Sequence, residues 1–232
     1  MGTKKMLRHS GKKTIFAILT ILAILGCSRE FDNPFDPNNS SRKAVYVKEG
    51  WRAYRTGEMG KAKDAFASAL SLDDKYAEAY NGLGWCEFRS GNLSEASKAF
   101  SSAIEIPLAP FTKGEIIENE PTMSDAYAGL AGTSLAAGEY KSAVEYAALV
   151  LNSTPRYINS HDDSITYYQL RLILAEGYFQ MGEYDKALQQ VTLLNPDHKV
   201  VPENKSYLED LALEIETLSQ KQRDEGAKKQ ED

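Results

Sequence analysis

Apolar residues recur at helical spacing through most of this chain, in pairs of runs separated by a short polar break. One pair shows the pattern well. Tyr80, Leu83 and Gly84 mark one face of a first run, and Ala96, Phe100 and Ala103 mark one face of a second. Residues three and four apart share a helix face, so each run predicts an amphipathic helix and each pair a helical hairpin. The pairs repeat with a period of 34 residues. Units fit residues 43–76, 77–110, 124–157 and 168–201. Position 15 is glycine in all four, at Gly57, Gly91, Gly138 and Gly182, and position 20 is alanine in all four, at Ala62, Ala96, Ala143 and Ala187. A glycine there suits the end of a helix, where the backbone turns left-handed. An alanine suits the place where the second helix crosses closely over the first.

Two insertions interrupt the period. Phe111–Met123 separates the second and third units and reads as decoration or as a flap over a binding surface, because an unstructured stretch of that length between packed hairpins is uncommon. Ile158–Tyr167 separates the third and fourth, and reads as a lead-in to the next helix with Asp163 or Ser164 as its N-cap. After the last unit, Ser206-x-x-Glu209 has the form of a capping box. Leu208, Leu211, Ile215 and Leu218 then form one apolar stripe. Such a helix, over residues 202–222, would close the end of a stack. Residues 223–232 lack apolar anchors and read as a disordered tail.

The repeating unit resembles the tetratricopeptide repeat (TPR), whose signature is an aromatic, Leu-Gly, an aromatic, then Ala, an aromatic, Ala and Pro. Ala79–Ile106, "AYNGLGWCEFRSGNLSEASKAFSSAIEI", carries it best, and Ala126–Pro155 nearly as well. The four units cover about 136 residues. Glu49 stands at the usual Leu place in the first unit and Arg171 at the first aromatic place in the fourth, and the closing Pro is kept only as Pro155. The resemblance implies an all-α helix-hairpin solenoid, a right-handed superhelix, with a C-terminal capping helix. It also implies that positions 2, 5, 9, 12 and 13 face a concave groove for a protein or peptide. These are Ala44, Val47, Trp51, Tyr54 and Arg55 in the first unit and Glu78, Asn81, Trp85, Phe88 and Arg89 in the second. Asp125, Ala128, Gly132, Leu135 and Ala136 follow in the third, and Gln169, Leu172, Glu176, Phe179 and Gln180 in the fourth.

The first two units share a further pattern, "GWRAYRTG" at Gly50–Gly57 and "GWCEFRSG" at Gly84–Gly91, which holds the two tryptophans of the chain. Trp, Tyr and Arg dominate binding hot spots. The candidate partner-binding residues are therefore Trp51, Tyr54, Arg55, Asn81, Trp85, Phe88 and Arg89. The alternative is structural: the rings pack between hairpins, and each Arg stacks on its own Trp one turn back.

The N-terminus reads as an address. A basic stretch precedes the apolar run "TIFAILTILAIL" and then Gly26-Cys27. Twelve apolar residues are too few for a bilayer-spanning helix, which takes about 20, and the layout is that of a secretory signal over residues 1–26. Ile24-Leu25-Gly26-Cys27 resembles the bacterial lipobox, with Leu25 where a smaller residue is commoner. That resemblance implies cleavage before Cys27, acylation of its sulfur and new amine, and a membrane anchor through the lipid. Ser28, in place of the Asp that signals inner-membrane retention in enteric bacteria, favours the outer membrane. Residues 28–42 carry Pro34, Pro37 and several Asn, Asp and Ser, and read with Cys27 as a flexible tether.

The charge changes the list of partners. The first 26 residues hold five of the 27 basic side chains and none of the 33 acidic ones, so the rest carries 22 against 33, a net −11. A body that acidic repels phosphate backbones and disfavours nucleic acid. Candidate chemistry is sparse. No phosphate loop, metal cluster or nucleophile–base set is legible, so neither a cofactor nor a metal is expected. His161-Asp162-Asp163 has cation-ligating side chains but reads first as a capping sequence. Cys86, inside a helix among small residues, reads as a buried inert thiol. The sequence therefore points to a non-enzymatic, lipid-anchored interaction module of the cell envelope. A homo-oligomeric scaffold is the alternative, ahead of a solute-binding lipoprotein or an envelope enzyme.

Overall fold

The computed structural model describes residues 37–106 and 121–231, with side chains for 41–106 and 121–225. The signal segment, Cys27, tether residues 28–36 and Phe111–Glu120 of the first insertion lie outside the described residues. Nine helices are described: α1 Pro37–Arg55, α2 Met59–Leu72, α3 Ala77–Arg89, α4 Leu93–Glu105, α5 Pro121–Ala136, α6 Tyr140–Ser153, α7 Tyr167–Gln180, α8 Tyr184–Leu194 and α9 Tyr207–Glu231. The first eight pair into four antiparallel hairpins. The turns are the four glycines of position 15, at φ +77, +78, +76 and +76°, a region that side chains with a Cβ rarely adopt. Each turn glycine N–H donates to the carbonyl three residues back, and the next N–H reaches five back, as Gly91 to Phe88 and Asn92 to Glu87 do. These bonds satisfy carbonyls that the helix end leaves open.

The position-20 alanines are all fully buried, as close helix crossing requires. Consecutive first helices touch (α1 with α3, α3 with α5, α5 with α7), whereas α2, α4, α6 and α8 do not touch one another. The first helices therefore form the tight inner layer of a curved stack and the second helices its spread outer layer. This is the TPR-like helix-hairpin solenoid that the repeat predicts. α9 packs on both α7 and α8 and caps the end.

Two phenylalanines at position 24 lock adjoining hairpins. The Phe66 ring lies against Gly50 of its own hairpin and Gly82 of the next, and the Phe100 ring against Gly84 and Gly129. Both rings have 0% exposure. A methyl group at any of these four glycines would fall under 3.0 Å from the ring, so the absence of a Cβ is what lets the layers approach.

Several boundaries differ from the sequence reading. α1 begins at Pro37, so residues 37–42 belong to a helix and not to the tether. Proline is tolerated at the first helical position, and no later residue in the run breaks the helix. α5 begins at Pro121 for the same reason, which makes the last three residues of the first insertion helical and buries Met123. α9 continues to Glu231, so 223–231 is helical where a disordered tail was expected; the composition there favours helix without supplying an apolar face. Just before α9 the Ser206 hydroxyl donates to the Asp210 carboxylate at 2.7 Å, one residue past the expected Glu209. Leu211, Ile215 and Leu218 are buried, but Leu208 is 42% exposed and does not join their stripe. Among the described residues no helix is long and apolar enough to cross a membrane.

Candidate functional site

The inner layer brings the expected groove positions of α1, α3 and α5 onto one face, and the chain's own second insertion lies across them. Residues 158–166 form a closed loop, not a helical lead-in. Ile158 and Thr166 pair as an antiparallel bridge. The Tyr167 N–H donates to the Tyr157 carbonyl at 2.7 Å, and the Asn159 N–H to the Ile165 carbonyl at 2.8 Å. The N-cap of α7 is Thr166, in a capping box with Gln169, and not Asp163 or Ser164. Asn159 and Asp162 turn inward instead and cap the loop itself, accepting from the N–H groups of His161, Asp162 and Ser164.

From this loop the side chains run along the groove. The Tyr157 hydroxyl donates to Asp125 Oδ1 at 2.7 Å, and the Ser160 N–H to Asp125 Oδ2 at 3.1 Å, reinforced by the Ser160 hydroxyl. His161 crosses to α1 and α3. Its ring stacks on Trp51 with centroids 4.0 Å apart and planes 8° from parallel, and its Nε2 lies 2.6 Å from Glu78 Oε1. The Tyr54 hydroxyl makes a long hydrogen bond, 3.4 Å, to Asp162. The loop thus engages three units.

Glu78 is the hub. It also accepts from Trp51 Nε1 at 2.7 Å and from the Thr122 hydroxyl. Burial opposes its ionisation, but the His161 ring, Thr122 and Trp51 outweigh burial and hold the carboxyl below the usual carboxylate range. Asp125 occupies the same repeat position one unit on, and there burial wins: its carboxyl is pushed up to about 6 despite the bonds from Ser160 and Tyr157. Burial likewise raises the hydroxyls of Tyr54, beside Asp162, and of Tyr157, beside Asp125.

The candidate residues sort by exposure. Trp51 and Trp85 are each 3% exposed and play one structural part: each meets its hairpin's phenylalanine edge-on, Trp51 to Phe66 at 5.2 Å and 75°, Trp85 to Phe100 at 5.3 Å and 76°. Tyr54 and Asn81 are buried, Phe88 is half-buried, and Arg55 and Arg89 are exposed. Arg89 does not stack on Trp85; its guanidinium lies 4.8 Å over the Tyr54 ring of the preceding hairpin. The two tryptophans differ at the indole nitrogen. Trp51 has Glu78, whereas Trp85 Nε1 is buried without a hydrogen bond among the described residues. The equivalent acid is Asp125, a carbon shorter than Glu78 and turned to the loop. Both polar atoms of the Asn81 amide are also buried without partners among the described residues. Such groups cost about 1–3 kcal/mol each. Cys86 is fully buried and its thiol is pushed up to about 12, the inert thiol expected.

Beside the docked loop a hollow of about 450 Å³ stays open. Ala44, Val47, Lys48, Trp51, Arg55 and His161 are among the residues that line it. Sequence reasoning placed Trp51, Tyr54 and Glu78 on the groove but missed His161 and Asp162 as their partners, because no local pattern marks a loop for docking so far along the chain. No group of three or more His, Cys, Asp or Glu side chains among the described residues is arranged to hold a metal ion.

Comparison with known proteins gives one family and one notable solved structure. The tetratricopeptide repeat family matches residues 47–111. A structure from the functional characterization of Pseudomonas aeruginosa pilF is similar at 16% identity and a TM-score of 0.39, over 82% of this chain and 90% of that one. No curated protein matches. Residues 47–111 are thus similar to the tetratricopeptide repeat, and the two hairpins that follow extend the same all-helical, TPR-like stack.

Proposed function

We propose that this chain is a lipid-anchored interaction module of a bacterial cell envelope, which holds a protein partner along the inner face of its helix stack. The observation that carries this reading is the loop at 158–166. A non-helical segment already lies in the groove, held by side chains of α1, α3 and α5. A groove built to hold such a segment by planar stacking and charge-assisted hydrogen bonds has the chemistry to hold another. Trp51, Tyr54, Arg55, Asn81, Trp85, Phe88 and Arg89 shape the partner surface, with Arg55 and Arg89 as its exposed members. The polar groups of the groove serve binding rather than catalysis. Cys27 carries the lipid, and the outer membrane, facing the periplasm, is the proposed location.

The test is photocrosslinking in cells from the full chain, with the crosslinking residue at exposed Arg55 in the groove or at exposed Lys98 on α4. The reading expects an envelope protein captured from Arg55 and not from Lys98. Equal capture from both, or none from Arg55, counts against it. Fatty-acid labelling that persists after Cys27→Ala removes the lipid anchor. A second reading, a homo-oligomeric scaffold, draws on Leu193, Leu208 and Leu213, which are 55, 42 and 67% exposed near the C-terminal end. Light scattering of the full chain in detergent separates the two.

A further inference from the structure

The repeat explains why α1 and α3 lie side by side, but it does not explain what sits on Trp51. The seat there is made before the loop arrives. Edge-on contacts to Tyr54 and Phe66 fix the Trp51 ring, at 5.4 and 5.2 Å. Trp51 Nε1 and the Thr122 hydroxyl aim the Glu78 carboxylate. None of these groups belongs to the loop, so a flat apolar face and a fixed carboxylate at its edge remain when the loop leaves. The occupant must be planar, to lie 4.0 Å above the indole, and must carry a nitrogen at its rim, to meet Glu78 Oε1 at 2.6 Å. Phenylalanine has the plane without the nitrogen, and lysine the nitrogen without the plane. Histidine has both. The next residue should be acidic, because Asp162 takes the Tyr54 hydroxyl and the Arg89 guanidinium lies over that ring.

We infer that the Trp51–Glu78 pair is a recognition seat for a histidine carried on a non-helical loop segment and followed by an acidic residue, and that His161 of the chain's own loop fills it until such a partner segment takes its place. The inference rests on the groove-binding function proposed above and names the partner's chemistry. Two features favour exchange. The base of the loop closes on itself through the Ile158–Thr166 bridge and the Tyr157–Tyr167 hydrogen bond, so the tip can lift without unravelling α6 or α7. The hollow of about 450 Å³ beside the seat gives room for further partner residues, next to Lys48 and Arg55.

The paired base also provides the test. Replacing residues 159–165 by Asn-Gly between Ile158 and Thr166 closes the hairpin with a tight turn and empties the seat. The probe is a labelled peptide with the sequence of residues 157–167, added to the full chain in detergent and read by anisotropy. The excised chain should bind it at least about tenfold more tightly than the intact chain does. A His→Ala peptide, or Glu78→Gln in the excised chain, should weaken binding by about tenfold or more. Equal binding of the His and Ala peptides, equal binding of an Arg-for-His peptide, or no binding to a folded excised chain overturns the inference. If excision unfolds the helices, His161→Ala in the full chain replaces it, with free imidazole as the probe. Imidazole should raise the melting temperature of His161→Ala more than that of His161→Ala/Glu78→Gln, and equal shifts overturn the inference. The outcomes separate from those of crosslinking. A partner captured at Arg55 without histidine-dependent peptide binding sinks only this inference. Histidine-dependent binding without a captured partner sinks only the cellular function.

Discussion

The imidazole of His161 lies flat on the indole of Trp51, 110 positions earlier in the chain, with ring centroids 4.0 Å apart and planes within 8° of parallel. The contact joins the connection between the third and fourth hairpins to the first helix of the stack. It makes the groove an occupied surface, and it ties the loop's stability to groups in α1 and α3.

Removing that ring should loosen the loop and leave the solenoid intact. An aromatic stack is worth about 0.5–1.5 kcal/mol and a hydrogen bond to a charged group about 1.5–3 when shielded. His161 keeps about a quarter of its side-chain surface in water, so His161→Ala is expected to cost about 1–2 kcal/mol in denaturant unfolding. Limited proteolysis between residues 158 and 166 should speed up while helical circular dichroism is unchanged.

The Phe66 and Phe100 rings set the spacing of the hairpins. Gly82→Ala and Gly129→Ala each push a methyl group into a buried ring with no room to move. Overpacking of this kind costs about 1–3 kcal/mol. In Gly82→Ala/Phe66→Leu the smaller side chain should return part of the loss, so the double mutant should be less damaged than the sum of its single changes. Additive effects in thermal unfolding would show that the ring and the glycine do not oppose each other.

Asp125 gives the fold a pH dependence of unusual sign for a carboxylate. Its pKa is about 6 in the folded chain against 3.8 when free. The folded state holds the proton more tightly, so the stability from this group is full below the free value and is lost as pH rises through about 6. Asp125→Asn removes that slope and keeps one of the two acceptor oxygens, enough for the Tyr157 hydroxyl. Denaturant midpoints of the two proteins should diverge as pH rises from 4 to 7, with Asp125→Asn the more stable above 6.

Glu78 acts in the opposite sense. Its folded pKa is below the free value of 4.5, so its contribution is present above that pH and fades as pH falls through the folded value. Glu78→Gln should lower stability at neutral pH and flatten the acid limb of the profile. Glu78→Ala should cost more, because it leaves the Trp51 N–H, the Thr122 hydroxyl and His161 without their shared acceptor. An alanine variant no weaker than the glutamine variant would mean that water replaces the carboxylate freely.

Most of the fold was legible from local rules. A 34-residue period, a glycine at each hairpin turn and an alanine at each helix crossing specify hairpins that stack on their neighbours, because every one of those contacts joins residues near in sequence. The same rules misread the ends of elements. Pro37 begins a helix as readily as it marks a tether, and Asp163 and Ser164 look like caps whether or not a helix follows them.

The candidate site was half legible. The TPR register placed Trp51, Tyr54 and Glu78 on the inner face, since a helix position determines which way a side chain points. It left open whether the paired tryptophans bind or pack. The structure shows both against a phenylalanine of their own hairpin and stacks a ring of the loop, His161, on Trp51. What the sequence determined by itself is therefore the repeat: which residues form helices, where they turn and which faces they share. Only the tertiary structure decided that the second insertion folds back into the groove and places His161 between Trp51 and Glu78. A loop's docking site depends on where the curvature of three stacked hairpins brings distant side chains, and no spacing along the chain records that distance.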